Sequence, residues 1–394
     1  MAQRPIINYF LPPHIEFGVG AIKNLGEHVK SFDGKKPLIV TDEGITKAGI
    51  LAKAIQPLSE AGIDHVIFDA IQPNPTDLST IEGMEVYLAN GCDLVIAVGG
   101  GSVMDAAKAI RILATHEPPL EPYYADVGGF ERVTSNLSPL ICVPTTAGTG
   151  SEVSQGAVIT DTSHNTTNRA RKRAIVTPHN MASLSLLDPE LTVGMPPGLT
   201  AATGMDAVTH TIEAYVATRY HPIAEGVALQ ALKILAMNIR QAYHHGDDIE
   251  ARGQMLMASA MAAFSFQKGL GAVHSLAHQL STDAPIPHGV ANAILLPHVM
   301  DFNLPHAVDG YAEIAAALGI NTADMTKEEA ASVAIDEVRL LNKELGMPEG
   351  LGAAGLNRER IPKLAQDAML DHCYKFNPRP CTETDMRLLF EAAF

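Results

Sequence analysis

Hydrophobic residues follow two different rhythms along this chain. Up to about residue 190, short aliphatic and β-branched runs alternate with segments whose apolar positions recur at helical spacing. Lys36-Pro-Leu-Ile-Val-Thr-Asp42, His65-Val-Ile-Phe-Asp69 and Asp93-Leu-Val-Ile-Ala-Val98 are near-continuous apolar runs of strand length. Strands that read this way are covered on both faces, as in a parallel sheet. Leu140–Val143 and Ala182–Leu187 add two further runs. Helical patterns over 45–61, 77–91 and 102–114 separate the first strands, so the order is βαβ and a doubly wound or related open sheet is expected. The stretch 116–138, with Pro118, Pro119, Pro122 and the Gly128-Gly129 pair, predicts a long surface connection. Beyond Pro196 the strand signal stops. Ala/Leu/Met-rich helical patterns occupy 199–217, 222–243, 248–280, 308–318, 327–346 and 358–371, and there is no internal repeat. Pro189, Gly194, Pro196 and Pro197 cluster where the rhythm changes. The expectation is an α/β domain over 1–190 and an all-helical domain over 191–394.

Composition narrows the classes. With 394 residues, 46% hydrophobic and 18% charged, the chain can bury a large core in two domains. A formal net charge of −16 argues against nucleic acid and anionic membrane surfaces as partners. Cys92, Cys142, Cys373 and Cys381 show no CxxC spacing, which suggests a reducing compartment without a disulfide framework. The N-terminal residues lack the pattern of a signal peptide, and no apolar run is expected to span a bilayer. A cytoplasmic protein is expected.

The candidate chemistry concentrates in Val273–His288. His274 and His278 are four apart and share a helix face, while Pro285 and Pro287 must turn the chain before His288. Asp206 and His210, also four apart, form a second pair upstream. One carboxylate and several imidazoles on two inward faces could surround a divalent cation. The competing reading is of hydrogen-bonded core histidines, since the chain has 16. In the first half, Val98-Gly-Gly-Gly-Ser102 follows a strand and opens a helix, a place where free N–H groups and a positive dipole end can take a phosphate. Met104 stands where the usual dinucleotide fingerprint would have its third spaced glycine, and a tight strand-to-helix turn would want glycines too. Asp42 ends an earlier strand, where a carboxylate could accept from ribose hydroxyls or merely be solvated. Pro144-Thr-Thr-Ala-Gly-Thr-Gly-Ser-Glu152 is a hydroxyl-rich loop after another strand.

Four motifs, Gly99-Gly-Gly-Ser102, Pro144–Glu152, Ala202-Thr-Gly-Met-Asp-Ala-Val-Thr-His210 and Pro287-His-Gly-Val-Ala-Asn-Ala-Ile-Leu-Leu-Pro297, together resemble the iron-containing (group III) alcohol dehydrogenases. They occur in the right order over nearly the whole chain, from Phe17–Gly20 to Asn377–Pro380. The resemblance implies a Rossmann-like dinucleotide-binding domain and an all-α metal-binding domain of dehydroquinate synthase-like class, with the active site between them. It implies Asp206, His210, His274 and His288 as metal ligands, and His278 near the nicotinamide. Gly99, Gly100, Gly101 and Ser102 would hold the pyrophosphate, and Asp42, Asn74, Thr145, Thr146 and Lys172 match cofactor-contacting positions. The cofactors implied are NAD, with NADP disfavoured by Asp42, and Fe2+, although ligand chemistry admits Zn2+ and other divalent metals. The reaction implied is hydride transfer between a primary alcohol, or its aldehyde, and NAD in a homodimer or higher homo-oligomer. One departure concerns substrate: relatives carry a Gly-Gly-Phe-Tyr-like stretch before the last histidine, whereas Leu280-Ser-Thr-Asp-Ala-Pro-Ile-Pro287 has no aromatic. A polyol- or lactaldehyde-type reductase with a more polar pocket is the alternative, and a dehydroquinate-synthase-like lyase a more distant one.

Overall fold

A computed structural model describes residues 9–162, 171–284 and 286–394, the side chains of 282 and 283 excepted. Among the described residues eight strands lie in the first half: β1 (His14–Phe17), β2 (Pro37–Val40), β3 (Val66–Phe68), β4 (Leu94–Gly99), β5 (Leu140–Pro144), β6 (Gly156–Asp161), β7 (Arg171–Val176) and β8 (Leu184–Leu187). Between them run α1 (Leu25–Ser31), α2 (Glu43–Lys47), α3 (Ile50–Glu60), α4 (Asp77–Ala89) and α5 (Gly101–Leu113). The second half is helical: α6 (Pro197–Val216), α7 (Pro222–His244), α8 (Ile249–Ser265), α9 (Ala272–Asp283), α10 (His288–Ala317), α11 (Lys327–Glu344), α12 (Ile361–Ala368) and α13 (Glu383–Ala392).

Six strands form one parallel sheet in the order β1-β8-β5-β4-β2-β3. The continuous apolar runs are explained by cover on both faces. Ile39, Ile96 and Val98 pack with α1 and α3 on one side, and Leu38, Val40, Val95 and Ala97 pack with α5 on the other. The chain leaves β2 for β3 in one direction and crosses back to β4 in the other. The crevice at the carboxyl ends of β2 and β4 is therefore the switch point where open α/β sheets bind ligands. The loop after β5 leads from that crevice onto the helices, since Gly148 abuts Thr203 of α6 and Gly150 abuts Ala263 of α8.

Several elements differ from the sequence-based expectation. Strands β6 and β7 form an antiparallel hairpin apart from the main sheet, in a stretch that predicts no strand. The 248–280 helix breaks at Gly269–Gly271, separating α8 from α9. The 308–318 helix is the tail of the 30-residue α10, which runs through Pro297 and Pro305 and kinks at Ala307 (φ −134°). A proline removes one hydrogen bond of the ladder, so the pattern of α10 reads as broken although packing keeps it helical. The expectation that no apolar run reaches bilayer length is corrected at α7: by length and composition its 23 residues could cross a membrane. Its Ala224, Ala228, Ala231, Leu235, Ile239 and Ala242 are instead buried at helical spacing, and Leu235, Ile239 and Ala242 lie in the core shared with α6 and α8. All four cysteines are free.

Candidate functional site

The glycine turn comes first in the chain. β4 ends at Gly99 and α5 starts at Gly101, with no side chain capping the helix N-terminus. Its first N–H groups are therefore available to an anion. The glycines also permit close packing. A Cβ on Gly101 would stand 2.7 Å from Thr149, and one on Gly100 would stand 3.2 Å from Thr146 Oγ1. The loop carrying Thr145 and Thr146 thus closes directly over the turn, tied by Thr145 N–H donating to Gly99 C=O at 3.0 Å. Thr145 Oγ1 is buried and has no hydrogen-bond partner among the described residues. Ser102 is half-buried in the first turn of α5.

Asp42 lies one strand over, just past β2, where Thr41 Oγ1 donates to Val98 C=O at 2.8 Å and ties the two strand ends. The Asp42 carboxylate already caps α2, accepting from Ile45 N–H at 3.0 Å. Asn74 adopts a left-handed backbone (φ 58°) and reaches the other half, its Nδ2 donating to Ser281 C=O at 3.4 Å. Lys172 comes in on β7. Burial pushes its amine down to about 8, although the charges of Asp105 and Asp206 pull the other way.

Asp206, His210, His274 and His288 converge from three helices. Asp206 Oδ1 lies 3.7 Å from His210 Nε2, 3.8 Å from His274 Nε2 and 3.5 Å from His288 Nε2. Two donor atoms each about 2.1 Å from one tetrahedral ion would be about 3.4 Å apart, close to these spacings from Asp206. The ligand atoms of Asp206, His210 and His274 lie within 4.8 Å of one another, near enough to share one ion. Gly289 helps to place His288, because a Cβ there would stand 2.1 Å from Ala202 C=O, and α10 therefore starts hard against α6. Burial pushes His210 down to about 4, against the pull of Asp206. Burial, and then the charge of Lys172, hold His288 well below its ordinary value. Both are neutral near pH 7 and present lone pairs. Burial also acts to depress His274, but the hydrogen bond and charge of Glu213 outweigh it and raise the imidazole.

Three supporting residues escape the sequence reading. Glu213 Oε2 accepts from His274 Nδ1 at 2.6 Å, and its other oxygen accepts from Val273 N–H at 2.7 Å. A carboxylate there keeps the proton on Nδ1 and turns the Nε2 lone pair inward. Glu213 is three residues past His210, on the same face of α6, so helical spacing carried the signal. Asp371 accepts from His278 Nδ1 at 2.8 Å, from Ser275 Oγ at 3.0 Å and from Cys373 N–H at 2.7 Å. Asn292, inside the motif that begins at Pro287, donates from Nδ2 to Asp206 Oδ1 at 2.6 Å. His278 itself joins the ring cluster, stacked on His288 with centroids 5.3 Å apart, while its Nδ1 turns away to Asp371. Of the stretch without an aromatic, Pro285 and the side chains of 282 and 283 lie outside the described residues.

The profile of the iron-containing alcohol dehydrogenases matches residues 12–189, and that of the C-terminal part of the Fe-containing alcohol dehydrogenase family matches 200–394. The chain is 41% identical to a 1,3-propanediol dehydrogenase of Citrobacter freundii over 392 residues, covering 99% of each. It is 38% identical to an NAD-dependent methanol dehydrogenase of Bacillus methanolicus, covering 98% of this chain and 99% of that one. A crystal structure of a 1,3-propanediol oxidoreductase superposes with a TM-score of 0.94 at 40% identity, covering 99% of this chain and 100% of the other. With this geometry and these relatives, the chain belongs to the iron-containing alcohol dehydrogenase family, and it is a nicotinamide-linked oxidoreductase of alcohols and aldehydes.

Proposed function

We propose that Asp206, His210, His274 and His288 hold one divalent cation, ferrous iron by family, and that the chain uses NAD to oxidise a small primary alcohol or diol, or to reduce its aldehyde. The observation that carries this reading is the convergence of three imidazole Nε2 atoms on a single buried carboxylate oxygen. When bound, the cation would supply Lewis acidity and the nicotinamide would carry the hydride.

The rest falls to the chain. The uncapped start of α5, with Gly99 to Gly101 and Ser102, would take the pyrophosphate, and Thr145 and Thr146 would steady the cofactor from above. Asp42 stands where the carboxylate would accept from ribose hydroxyls and repel a 2′-phosphate, which supports NAD over NADP. Asn74 and Lys172 would contact the cofactor from the rims of the cleft. His278 would accept the hydroxyl proton or orient the substrate. With Nδ1 donating to Asp371, the neutral ring can accept a proton only at Nε2. The family and the relatives' names support small alcohols, and the missing aromatic in Leu280–Pro287 supports a polar substrate such as a diol. A homodimer in the cytoplasm completes the proposal.

Anaerobic reconstitution with Fe2+, followed by NADH formation over alcohols, diols and hydroxy acids, tests the reading. The control is the Asp206→Ala/His274→Ala double variant. Turnover in the native protein that is lost in the control is the expected result. Equal turnover in both, or none in either direction despite bound metal and NAD, would overturn it. His278→Ala should lose turnover across pH, and near-normal rates would remove His278 from the proton path.

A further inference from the structure

Strands β6 and β7 form a two-stranded sheet of their own. Such a hairpin is marginal by itself, so its place depends on what grips it from outside. β6 is held by α5: Val158 N–H donates to the Asp105 carboxylate at 2.9 Å, and Lys108 Nζ donates to Gly156 C=O at 2.7 Å. β7 is held by the 116–138 connection. Asp126, in a short 3-10 turn there, accepts from Arg173 Nε at 3.1 Å and Nη2 at 2.6 Å, and from Arg171 as well. Arg173 also donates from Nη1 to Asp161 at 2.8 Å, and its guanidinium lies 4.2 Å from the ring centre of Tyr124. One carboxylate therefore grips both residues that flank Lys172.

Side chains alternate along a strand, so Lys172 points away from the face that carries Arg171 and Arg173. The carboxylates whose charge acts on its amine are Asp105, one turn into α5, and Asp206 of the cation site. β7 also lies against α9, which carries His274. Lys172 is thus turned into the cleft, between the glycine turn and the cation site. A slip of β7 by one residue would put an arginine there and Lys172 outside. The slipped register would also lose the ion pairs of Arg173 with Asp126 and Asp161. We propose that Asp126 is a positioning residue for the cofactor: by holding both neighbours of Lys172 it fixes the face of β7 that enters the cleft, and so sets how tightly the nicotinamide cofactor binds. The proposal rests on the reading that Lys172 meets the cofactor. The pair with Arg171 is half exposed and weak. Arg173 is buried, so the loss of Asp126 is felt there.

The test is a double-mutant cycle on the full chain, with NADH binding read by fluorescence titration. Lys172→Met should weaken binding roughly tenfold, the worth of about one charge-assisted hydrogen bond. Asp126→Ala should weaken it roughly 3- to 5-fold in the native background and hardly at all once Lys172 is methionine. A second readout is independent of the cofactor. Burial depresses the Lys172 amine, so the pH midpoint of its labelling by a water-soluble amine reagent, mapped by mass spectrometry, should rise toward the ordinary lysine value in Asp126→Ala. Asp126→Glu, which keeps the charge, should restore both toward native. Equal losses from Asp126→Ala in the two backgrounds, or an unchanged labelling midpoint, overturns the proposal. If the alanine variant does not fold, Asp126→Asn is carried through the same cycle and decides. Lys172→Met that binds NADH like native removes the reading of Lys172 itself, whereas a weakened Lys172→Met with additive losses removes only the role of Asp126.

Discussion

The two halves present their chemistry with different parts of the chain. The α/β half offers backbone and short hydroxyls, through N–H groups at the start of α5 and loops at the ends of β2, β4 and β5, held in place by strand register. The helical half offers long side chains from α6, α9 and α10, held by packing and by a second rank of carboxylates behind them. A substitution in the first half should therefore act by filling space or releasing a loop. One in the second should act by leaving a buried polar group without its partner. Cofactor binding and metal binding should then be separable by mutation.

The largest effect is expected at Lys108, which has no exposed surface. Its ammonium donates to Ser151 C=O at 2.7 Å, Ser154 C=O at 2.9 Å and Gly156 C=O at 2.7 Å, with both serine hydroxyls at 3.2 Å. It pins the loop after β5, and the start of β6, to α5. Lys108→Met should cost about 3–5 kcal/mol in denaturant unfolding, the scale of breaking a buried charged network. NAD binding should weaken with it while Zn2+ affinity moves little. An equal fall in Zn2+ affinity would show that the halves are not separable.

Next in size is a pH effect at Glu152, in the same network. Burial pushes its carboxyl from 4.5 up to about 7, against its own backbone N–H and the charge of Lys108. Between these values the unfolded chain has released the proton and the folded chain keeps it. The native state thus binds more protons, and stability falls as pH rises from about 4.5 to about 7. The whole span amounts to about 3 kcal/mol. Glu152→Gln should flatten the stability profile across that window, and an unchanged slope would assign it to another group.

In the helical half, Glu213→Gln keeps the shape of the side chain but removes the charge behind His274. Loss of such a partner typically costs 10- to 100-fold in metal affinity. Chelator competition should register that loss while NAD binding stays near native. Native-like Zn2+ affinity would mean that packing, and not Glu213, orients the ring.

What the sequence showed and hid follows the same division. The pairs Asp206/His210 and His274/His278 were legible because i, i+4 spacing on helices is a local signal, while the set of Asp206, His210, His274 and His288 came from the resemblance to the family. The glycine turn was legible because it directly follows an apolar run. Glu213 and Asn292 carried the same signal, each on the face of a named histidine, and were passed over because Glu and Asn suit a solvated helix surface equally well. Asp371 gave none, since it reaches His278 from a turn 93 residues away. The β6–β7 hairpin was hidden because Arg171-Lys-Arg173 reads as a loop, although Arg173 is buried in ion pairs with Asp126 and Asp161. Long-range pairing of charges leaves no periodic trace.

The smallest effect tests whether one residue of the first half belongs to the fold, to the cofactor, or to both. Asp42 caps α2 through Ile45 N–H and stands at the switch-point crevice. Asparagine caps a helix about as well as aspartate, and alanine does not. Asp42→Ala should therefore lose about 1 kcal/mol of stability, while Asp42→Asn stays within about 0.5 kcal/mol of native. Both remove the charge that would oppose a 2′-phosphate, so both should narrow the preference for NAD over NADP by roughly five- to tenfold, the worth of about 1 kcal/mol between partly screened charges. Paired measurements of unfolding and of kcat/KM for the two cofactors separate the roles. If stability falls in the alanine variant alone while the cofactor ratio shifts in both, the carboxylate serves both ends. If the ratio stays fixed in both variants, Asp42 is a helix cap that happens to face the cofactor, and the α/β half selects its nucleotide by backbone alone.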